Sequence, residues 1–121
     1  MIIGTALMGA IGACLRFYVG QLAVWRQASR FPFSTLVINV LGSALLGALW
    51  GLYEQLLINE WVWQWLGVGL LGAFTTFSTF SYELLQLIQQ KRIGAASAYI
   101  LATVILGVVA AAVFRAAVLF L

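Results

Sequence analysis

The sequence has few of the residues on which soluble proteins, metalloproteins and enzymes depend. Of its 121 residues only 7% are charged, three are acidic, and histidine is absent. With no histidine and a single cysteine, Cys14, the chain lacks the usual transition-metal ligands and cannot form an intrachain disulfide. No nucleophile, base and orienting group come together, so an enzyme is not indicated. Charge this sparse cannot cover the surface of a soluble domain.

Apolar residues fill the space that charge leaves. They make up 64% of the chain, and the mean hydropathy is +1.09. The net charge of +3 is too small to form the basic stripe that nucleic acid requires, but it suits a few basic residues at lipid headgroups. The N-terminal run lacks a basic region ahead of it, so it is interpreted as a retained span and not a signal peptide. The sequence predicts one membrane-embedded domain, residues 1–121.

Charged and turn residues divide the chain into four apolar segments. Each is near the roughly 20 residues that a helix needs to cross a bilayer. The predicted spans are Ile2 to about Trp25, Phe33 to about Tyr53, Trp61 to about Leu87, and Ile93 to Leu121. In hydrocarbon a helix satisfies its own backbone, so the predicted class is an all-α membrane protein with four transmembrane helices.

The distribution of basic residues favours one orientation. The first and third links, which lie on the same side, are basic, whereas the second link is acidic: Arg26, Arg30, Lys91 and Arg92 against Glu54 and Glu60. The positive-inside rule then places those two basic links in the cytoplasm. We therefore expect a multi-pass protein of the cell membrane with both termini outside.

Two spans carry ridges of small residues spaced by four. The second has Ser43, Gly47 and Gly51, and the fourth has Thr103, Gly107 and Ala111. Such ridges allow two helix backbones to approach closely. They predict either packing within the chain or an interface between subunits, and the sequence leaves both open.

The third span contains an unusually polar stretch, GLLGAFTTFSTFSYE, residues 69–83. Five hydroxyl residues surround Phe77 and Phe80, namely Thr75, Thr76, Ser78, Thr79 and Ser81. Gly69 and Gly72 precede them, and glycine and hydroxyl side chains both compete with regular helix. We therefore predict that this helix is broken near its middle, which frees carbonyls that protein, water or an ion must satisfy. Phe74, Phe77 and Phe80, spaced by three, are expected on one side.

Other spans carry isolated polar residues. Arg16 lies in the first span and must reach the interface or find a partner. Asn39 lies in the second, where an interhelical hydrogen bond of about 0.6–2 kcal/mol is the plain expectation. Ser43, one turn later, is expected to bond back to its own helix. Tyr99 and Thr103 stand four residues apart in the fourth.

Three stretches of the sequence, in the order in which they follow one another along the chain, resemble the small fluoride channel family, known as Fluc or CrcB. GLLGAFTTFSTFSYE looks like the family signature, GAIGACLRFY resembles its glycine-rich first helix ending in arginine, and PFSTLVINVLGS resembles its threonine-leucine-x-x-asparagine-x-x-glycine segment. The resemblance covers nearly the whole chain. Departures are mild: Ala73 and Ser34 stand where glycine is common, and Phe17 where tyrosine often follows the arginine.

The resemblance implies an antiparallel dimer whose two pores, each built from both subunits, let fluoride leave the cytoplasm passively and so lower its toxicity. It implies fluoride-pathway roles for Asn39, Phe77, Ser78, Thr79, Phe80, Tyr99 and Thr103. Arg16 resembles a basic residue of the vestibule. Gly72 and Thr75 match the positions whose backbone carbonyls hold a structural sodium ion between the subunits.

The partner and the activity have alternatives. A single orientation favours a similar second chain of opposite charge bias over a homodimer. A small multidrug-type exporter also has four helices, but it needs a titratable carboxylate within the membrane, and Glu54, Glu60 and Glu83 are not central in any span. The third possibility is a non-conducting structural subunit, whose polar residues only join helices.

Overall fold

The computed structural model describes residues 1–21 and 31–121, and all regular structure within those two ranges is helical. Three long helices are α1 (Ile2–Gly20), α2 (Phe33–Glu54) and α6 (Ile93–Leu119). The segment between α2 and α6 is composite, and its parts are α3 (Glu60–Val62), a π-helix (Trp63–Leu71), α4 (Gly72–Phe74) and α5 (Phe77–Gln89). The predicted all-helical class is therefore confirmed.

Within residues 1–21 and 31–121, three helices, α1, α2 and α6, are long and apolar enough to cross a membrane. The second and fourth predicted spans agree with α2 and α6 to within two residues at each end. α1 ends at Gly20, where the N–H of Gln21 closes the last turn on the carbonyl of Tyr18 at 3.1 Å. The predicted continuation to Trp25 and the basic residues Arg26 and Arg30 lie outside the described residues.

α2 and α6 pack along each other through the two small-residue ridges. A methyl group at Gly47 would overlap the backbone of Ala111, and one at Gly107 would lie 3.4 Å from the hydroxyl of Ser43. The ridges therefore face each other within one chain, which decides between the two possibilities that the sequence left open. The seam makes α2 and α6 a close-packed pair.

α1 packs against the π-helix in the same manner. A methyl group at Gly12 would overlap the carbonyl of Leu70, and one at Gly69 would lie 2.6 Å from the carbonyl oxygen of Thr5. π-helices are rare and usually confined to a single turn, so a nine-residue one is unusual.

Cys14 lies on α1 and is exposed.

The C-terminal ends of α2 and α6 are joined by polar contacts. Arg115 donates from Nε and Nη2 to the two carboxylate oxygens of Glu54, at 2.8 and 3.0 Å. Gln55 Nε2 donates to the carbonyl of Leu119 at 3.0 Å. Stacked and edge-on rings lie beside them, with centroids 5.2–5.8 Å apart: Trp50, Tyr53 and Trp63. Aromatic rings at helix ends are typical of a membrane interface.

The buried core lies where α2, α5 and α6 meet. Its members are Leu36, Leu87, Ala96 and Tyr99. The outer faces of the long helices stay apolar and exposed, as in a protein whose surroundings are lipid; Ile2 and Val108 are 86% and 65% exposed.

Candidate functional site

The composite segment is interrupted between Phe74 and Phe77. Thr75 (φ −77°, ψ 154°) and Thr76 (φ −141°, ψ 122°) both have extended backbones. The N–H and hydroxyl of Thr75 still bond to the carbonyl of Leu71, at 3.0 and 3.1 Å, and so complete the last turn of α4. The hydroxyl of Thr76 accepts the N–H of Thr79 at 3.2 Å and caps α5. One helix thus ends and another begins within two residues.

Asn39 of α2 satisfies both backbone groups of Thr76. Its Oδ1 accepts the N–H of Thr76 at 2.8 Å, and its Nδ2 donates to the carbonyl of the same residue at 3.0 Å. Gly42 lies one turn further along α2, and a methyl group there would overlap the side chain of Thr75. The absence of a side chain at Gly42 is therefore what allows the interruption to lie against α2.

Two other polar residues predicted in the spans, Ser43 and Arg16, also bond to helix backbone. Ser43 donates to the carbonyl of Asn39 at 2.8 Å, the bond back to its own helix that the sequence predicted. Arg16 is half-buried, and its Nε donates to the carbonyl of Ala73 at 3.4 Å. Ala73 lies in α4, so the arginine pairs with backbone next to the interruption.

A cavity of about 390 Å³ lies beside the interruption, between α2, α6 and the composite segment. It brings together six of the residues predicted for the fluoride pathway and the sodium site: Asn39, Gly72, Thr75, Phe77, Phe80 and Thr103. Within the described part of the chain, Thr103 Oγ1 is the buried side-chain oxygen without a hydrogen-bond partner. A buried, unpaired hydroxyl is costly, so this one has hydrogen-bonding capacity for a ligand or water.

The other predicted residues lie outside that cavity. Arg16 and Thr79 line a smaller one of about 160 Å³. Ser78 is exposed, and its hydroxyl lies 3.5 Å from that of Thr76. Tyr99 is completely buried between other rings, 5.0 Å from Phe80 by ring centroids. The structure thus divides the predicted pathway residues between two cavities, the exposed surface at Ser78 and the core at Tyr99.

The phenylalanines do not share one helical face. Phe74 is buried, whereas Phe77 is 80% exposed and Phe80 is half-buried, with centroids 6.2 Å apart for the last two. The expectation that all three lie on one side is wrong, because the extended residues between Phe74 and Phe77 put them on different helices.

Sequence reasoning missed a polar cluster centred on Glu83 of α5. Thr35 donates its hydroxyl to Glu83 Oε1 at 2.7 Å, and Tyr99 donates to Oε2 at 3.4 Å. Both donors are buried, and Glu83 also lines the smaller cavity with Arg16 and Thr79. A carboxylate in a predicted membrane span was the available signal, but its donors are 48 and 16 residues away in sequence, so only the fold identifies them.

Comparison with known proteins gives a family and close relatives. Residues 3–114 match the family described as CrcB-like protein, Camphor Resistance (CrcB). Three relatives carry the name fluoride-specific ion channel FluC. The protein of Pseudoalteromonas translucida is 51% identical over 86 residues, 70% of this chain and 72% of the relative.

The other two matches are longer. The Shewanella amazonensis protein is 50% identical over 99 residues, 81% of this chain and 79% of its own. The Vibrio cholerae protein is 43% identical over 107 residues, 88% of this chain and 85% of its own. Together with the three apolar helices, these matches indicate a multi-pass membrane protein. The chain belongs to the CrcB family.

Proposed function

We propose that this chain is a subunit of a fluoride-selective channel that lets fluoride leave the cytoplasm passively. The observation that carries the proposal is the cavity beside the interruption. An amide, two phenylalanines and an unpaired buried hydroxyl lie around it, at Asn39, Phe77, Phe80 and Thr103. The relatives named as fluoride-specific ion channels support the same activity. The proposal assigns no catalysis to the chain.

Fluoride is small and strongly hydrated, so a pathway must replace the donors of water as it removes them. Amide N–H and hydroxyl O–H groups can do this. The edge of a phenylalanine ring carries the positive end of the ring quadrupole, so Phe77 and Phe80 can face an anion edge-on. Conduction also requires that each contact be weak enough to release the ion. No cationic side chain lines the larger cavity among the described residues, which agrees with that requirement.

The smaller cavity extends the proposed pathway. Arg16 there would attract an anion from the vestibule, and the hydroxyls of Thr79 and nearby Ser78 would supply donors. The carboxylate of Glu83 accepts hydrogen bonds from the hydroxyls of Thr35 and Tyr99, so it has two donors in an apolar region. The cluster therefore fixes the orientation of Tyr99, which we assign to the pathway as a neighbour of Phe80.

We also propose a structural sodium ion held by the carbonyls of Gly72 and Thr75. In an unbroken helix these carbonyls would accept the N–H groups of Thr76 and Thr79. Both N–H groups bond elsewhere, to Asn39 Oδ1 and to Thr76 Oγ1. Gly72 is exposed, and a methyl group added there would lie no closer than 3.9 Å to a neighbouring atom, the carbonyl oxygen of Gly67. The surroundings of Gly72 are therefore open. Carbonyl oxygens are the ligands that hard cations prefer, so the residues fit such an ion.

The proposed assembly is an antiparallel dimer in which the composite segment is the third of four spans. The exposure of Phe77 and of Gly72 supports this, because a pathway and an ion site on one chain would both be open until a second chain covers them. The charge bias of the links favours a similar chain of opposite bias as the partner. We place this chain in the cell membrane with both of its own termini outside, and its antiparallel partner in the opposite orientation.

Fluoride efflux from liposomes containing the purified protein tests the activity. Reconstitution from detergent admits both orientations, so antiparallel pairs of this chain can form. We expect fluoride to leave and chloride to stay. Thr103→Val should reduce the flux, whereas Thr5→Val, whose hydroxyl only bonds back to the carbonyl of Met1, should not. Absence of fluoride efflux, or equal loss of chloride, would contradict the proposal.

A proton-coupled exporter is the second candidate, because Glu83 is a half-buried carboxylate in the proposed third span. Export of this kind requires that the carboxylate bind and release a proton. A pH gradient without a fluoride gradient should then drive transport, and Glu83→Gln should abolish that dependence. We expect no such driven transport from the channel, and only the fluoride gradient should set the direction of flux. A subunit with only a structural role would show neither fluoride efflux nor transport driven by a pH gradient.

A further inference from the structure

We infer that Asn39 is a positioning residue that holds the composite helix open at Thr76 and so keeps the carbonyl of Gly72 free for a cation. The inference rests on the sodium site proposed above and names the side chain that creates it. It concerns the paired hydrogen bonds between the Asn39 amide and the backbone of Thr76, at 2.8 and 3.0 Å.

The amide takes the place of a neighbouring β-strand. Thr76, at φ −141° and ψ 122°, has the backbone of an antiparallel strand, and Asn39 both accepts from its N–H and donates to its carbonyl. Without the amide, the N–H of Thr76 would lack an acceptor inside the membrane, where water is scarce. The acceptor that a regular helix offers is the carbonyl four residues back, which belongs to Gly72. Loss of the Asn39 amide therefore favours a helix that uses up the Gly72 carbonyl.

Asn39 is held firmly enough to act in this way. α2 is locked against α6 by the seam at Gly47, and Gly42 lets Thr75 lie directly on the same face of α2 as Asn39. The carbonyl of Asn39 receives the hydroxyl of Ser43 at 2.8 Å. The amide is thus presented from a rigid helix, and the interruption lies close enough to use both of its polar atoms.

A positioning role is distinct from a role as a fluoride donor. The Nδ2 atom has a second proton, so Asn39 can also line the pathway, and loss of flux alone would not separate the two roles. Dependence on sodium does separate them. Thr103 lines the same cavity but does not contact the interruption through any hydrogen bond of its hydroxyl, so it is the matched control.

The experiment is a sodium titration of thermal unfolding in detergent, with N-methylglucamine as the replacement cation, run on wild type, Asn39→Ala, Asn39→Ser and Thr103→Val. Loss of two hydrogen bonds should raise the sodium concentration for half-maximal stabilisation about tenfold in Asn39→Ala. Asn39→Ser, which keeps a donor and an acceptor on a shorter side chain, should shift it less and serves if the alanine variant does not fold. Thr103→Val should lose fluoride flux yet keep the wild-type sodium concentration.

Each remaining outcome decides a different point. If wild type responds to sodium and both Asn39 variants respond at the same concentration, the positioning role is overturned and the sodium site stands. If wild type itself does not respond, the sodium site and this inference both fall. Fluoride efflux from the same preparation tests the proposed channel activity independently of the sodium site.

Discussion

α6 and the composite segment from Glu60 to Gln89 have similar lengths but very different courses. α6 runs unbroken from Ile93 to Leu119, although it contains Gly94, Ser97, Thr103 and Gly107. The composite segment passes from α-helix to π-helix and back, and then becomes extended at Thr75 and Thr76. Residues that disfavour helix are thus present in both, and their presence alone does not interrupt a helix.

The difference lies in the partners that each segment finds. At Thr76 the backbone groups that leave the helix are taken by Asn39, and the next helix is capped by the hydroxyl of Thr76 itself. α6 lies instead along α2 through small residues, where its backbone needs no outside partner. A membrane helix opens where another helix offers replacement hydrogen bonds.

The largest expected effect comes from Gly42→Val, which separates α2 from the interruption. The added methyls would overlap the side chain of Thr75, and overpacking costs about 1–3 kcal/mol or more. We expect loss of folded protein, measured by size-exclusion chromatography, and no fluoride flux. Gly94→Val in α6 is the control, since nothing lies within 4 Å of that position. Normal folding of Gly42→Val would show that Thr75 does not need this close contact.

Phe80→Ala tests the contact that joins the composite segment to α6. Phe80 is half-buried and packs on the ring of Tyr99, so its loss should cost about 2 kcal/mol, somewhat below the range for a fully buried phenylalanine. The exposed Phe77 is the comparison, and Phe77→Ala should lower thermal stability in detergent less than Phe80→Ala, because its own chain leaves it 80% exposed, while reducing fluoride flux. Equal destabilisation by both changes would mean that Phe77 is buried in the protein as it exists in detergent.

Thr76→Val removes the cap of α5 with almost no change of shape. Loss of such a cap costs about 1 kcal/mol, and the interruption should become less well defined. Thr75→Val is the matched control, because that hydroxyl only bonds back to the carbonyl of Leu71. Thermal unfolding and fluoride efflux of the two variants should therefore differ. Indistinguishable results would argue that the cap does not determine where α5 begins.

The smallest effect is expected at the far end of α6, from Arg115→Gln. The ion pair with Glu54 is bidentate but exposed, and exposed pairs contribute little and are screened by salt. We expect unchanged flux and no measurable change in thermal unfolding at physiological salt. Glu54→Gln should behave in the same way. A clear loss of stability in either variant would show that α6 depends on polar partners as the composite segment does.

Hydropathy was sufficient to predict α2 and α6, because both are predominantly apolar and long enough to cross a membrane. Their bounds are close to those predicted, and the ridges at Gly47 and Gly107 marked the seam between them. The hydroxyl-rich stretch pointed to the neighbourhood of Thr75, because its residues compete with helix through local hydrogen bonds.

Features that depend on distant partners were not predictable. The π-helix packs on α1 through Gly12 and Gly69, and no local pattern encodes that contact. The donors of Glu83 come from two other helices. The phenylalanine spacing was misread because periodicity assumes a continuous helix, and the extended pair ends that continuity.

The exposed Cys14 on α1 makes the proposed arrangement of subunits directly measurable. Because it is the single thiol of the chain, a nitroxide attached there puts one spin on each subunit of a homodimer without any mutation. Pulsed dipolar spectroscopy would then return one distance distribution. Head-to-head and head-to-tail packing place the two labels at different depths relative to each other, so that distance, combined with a relaxation agent confined to one leaflet, distinguishes them.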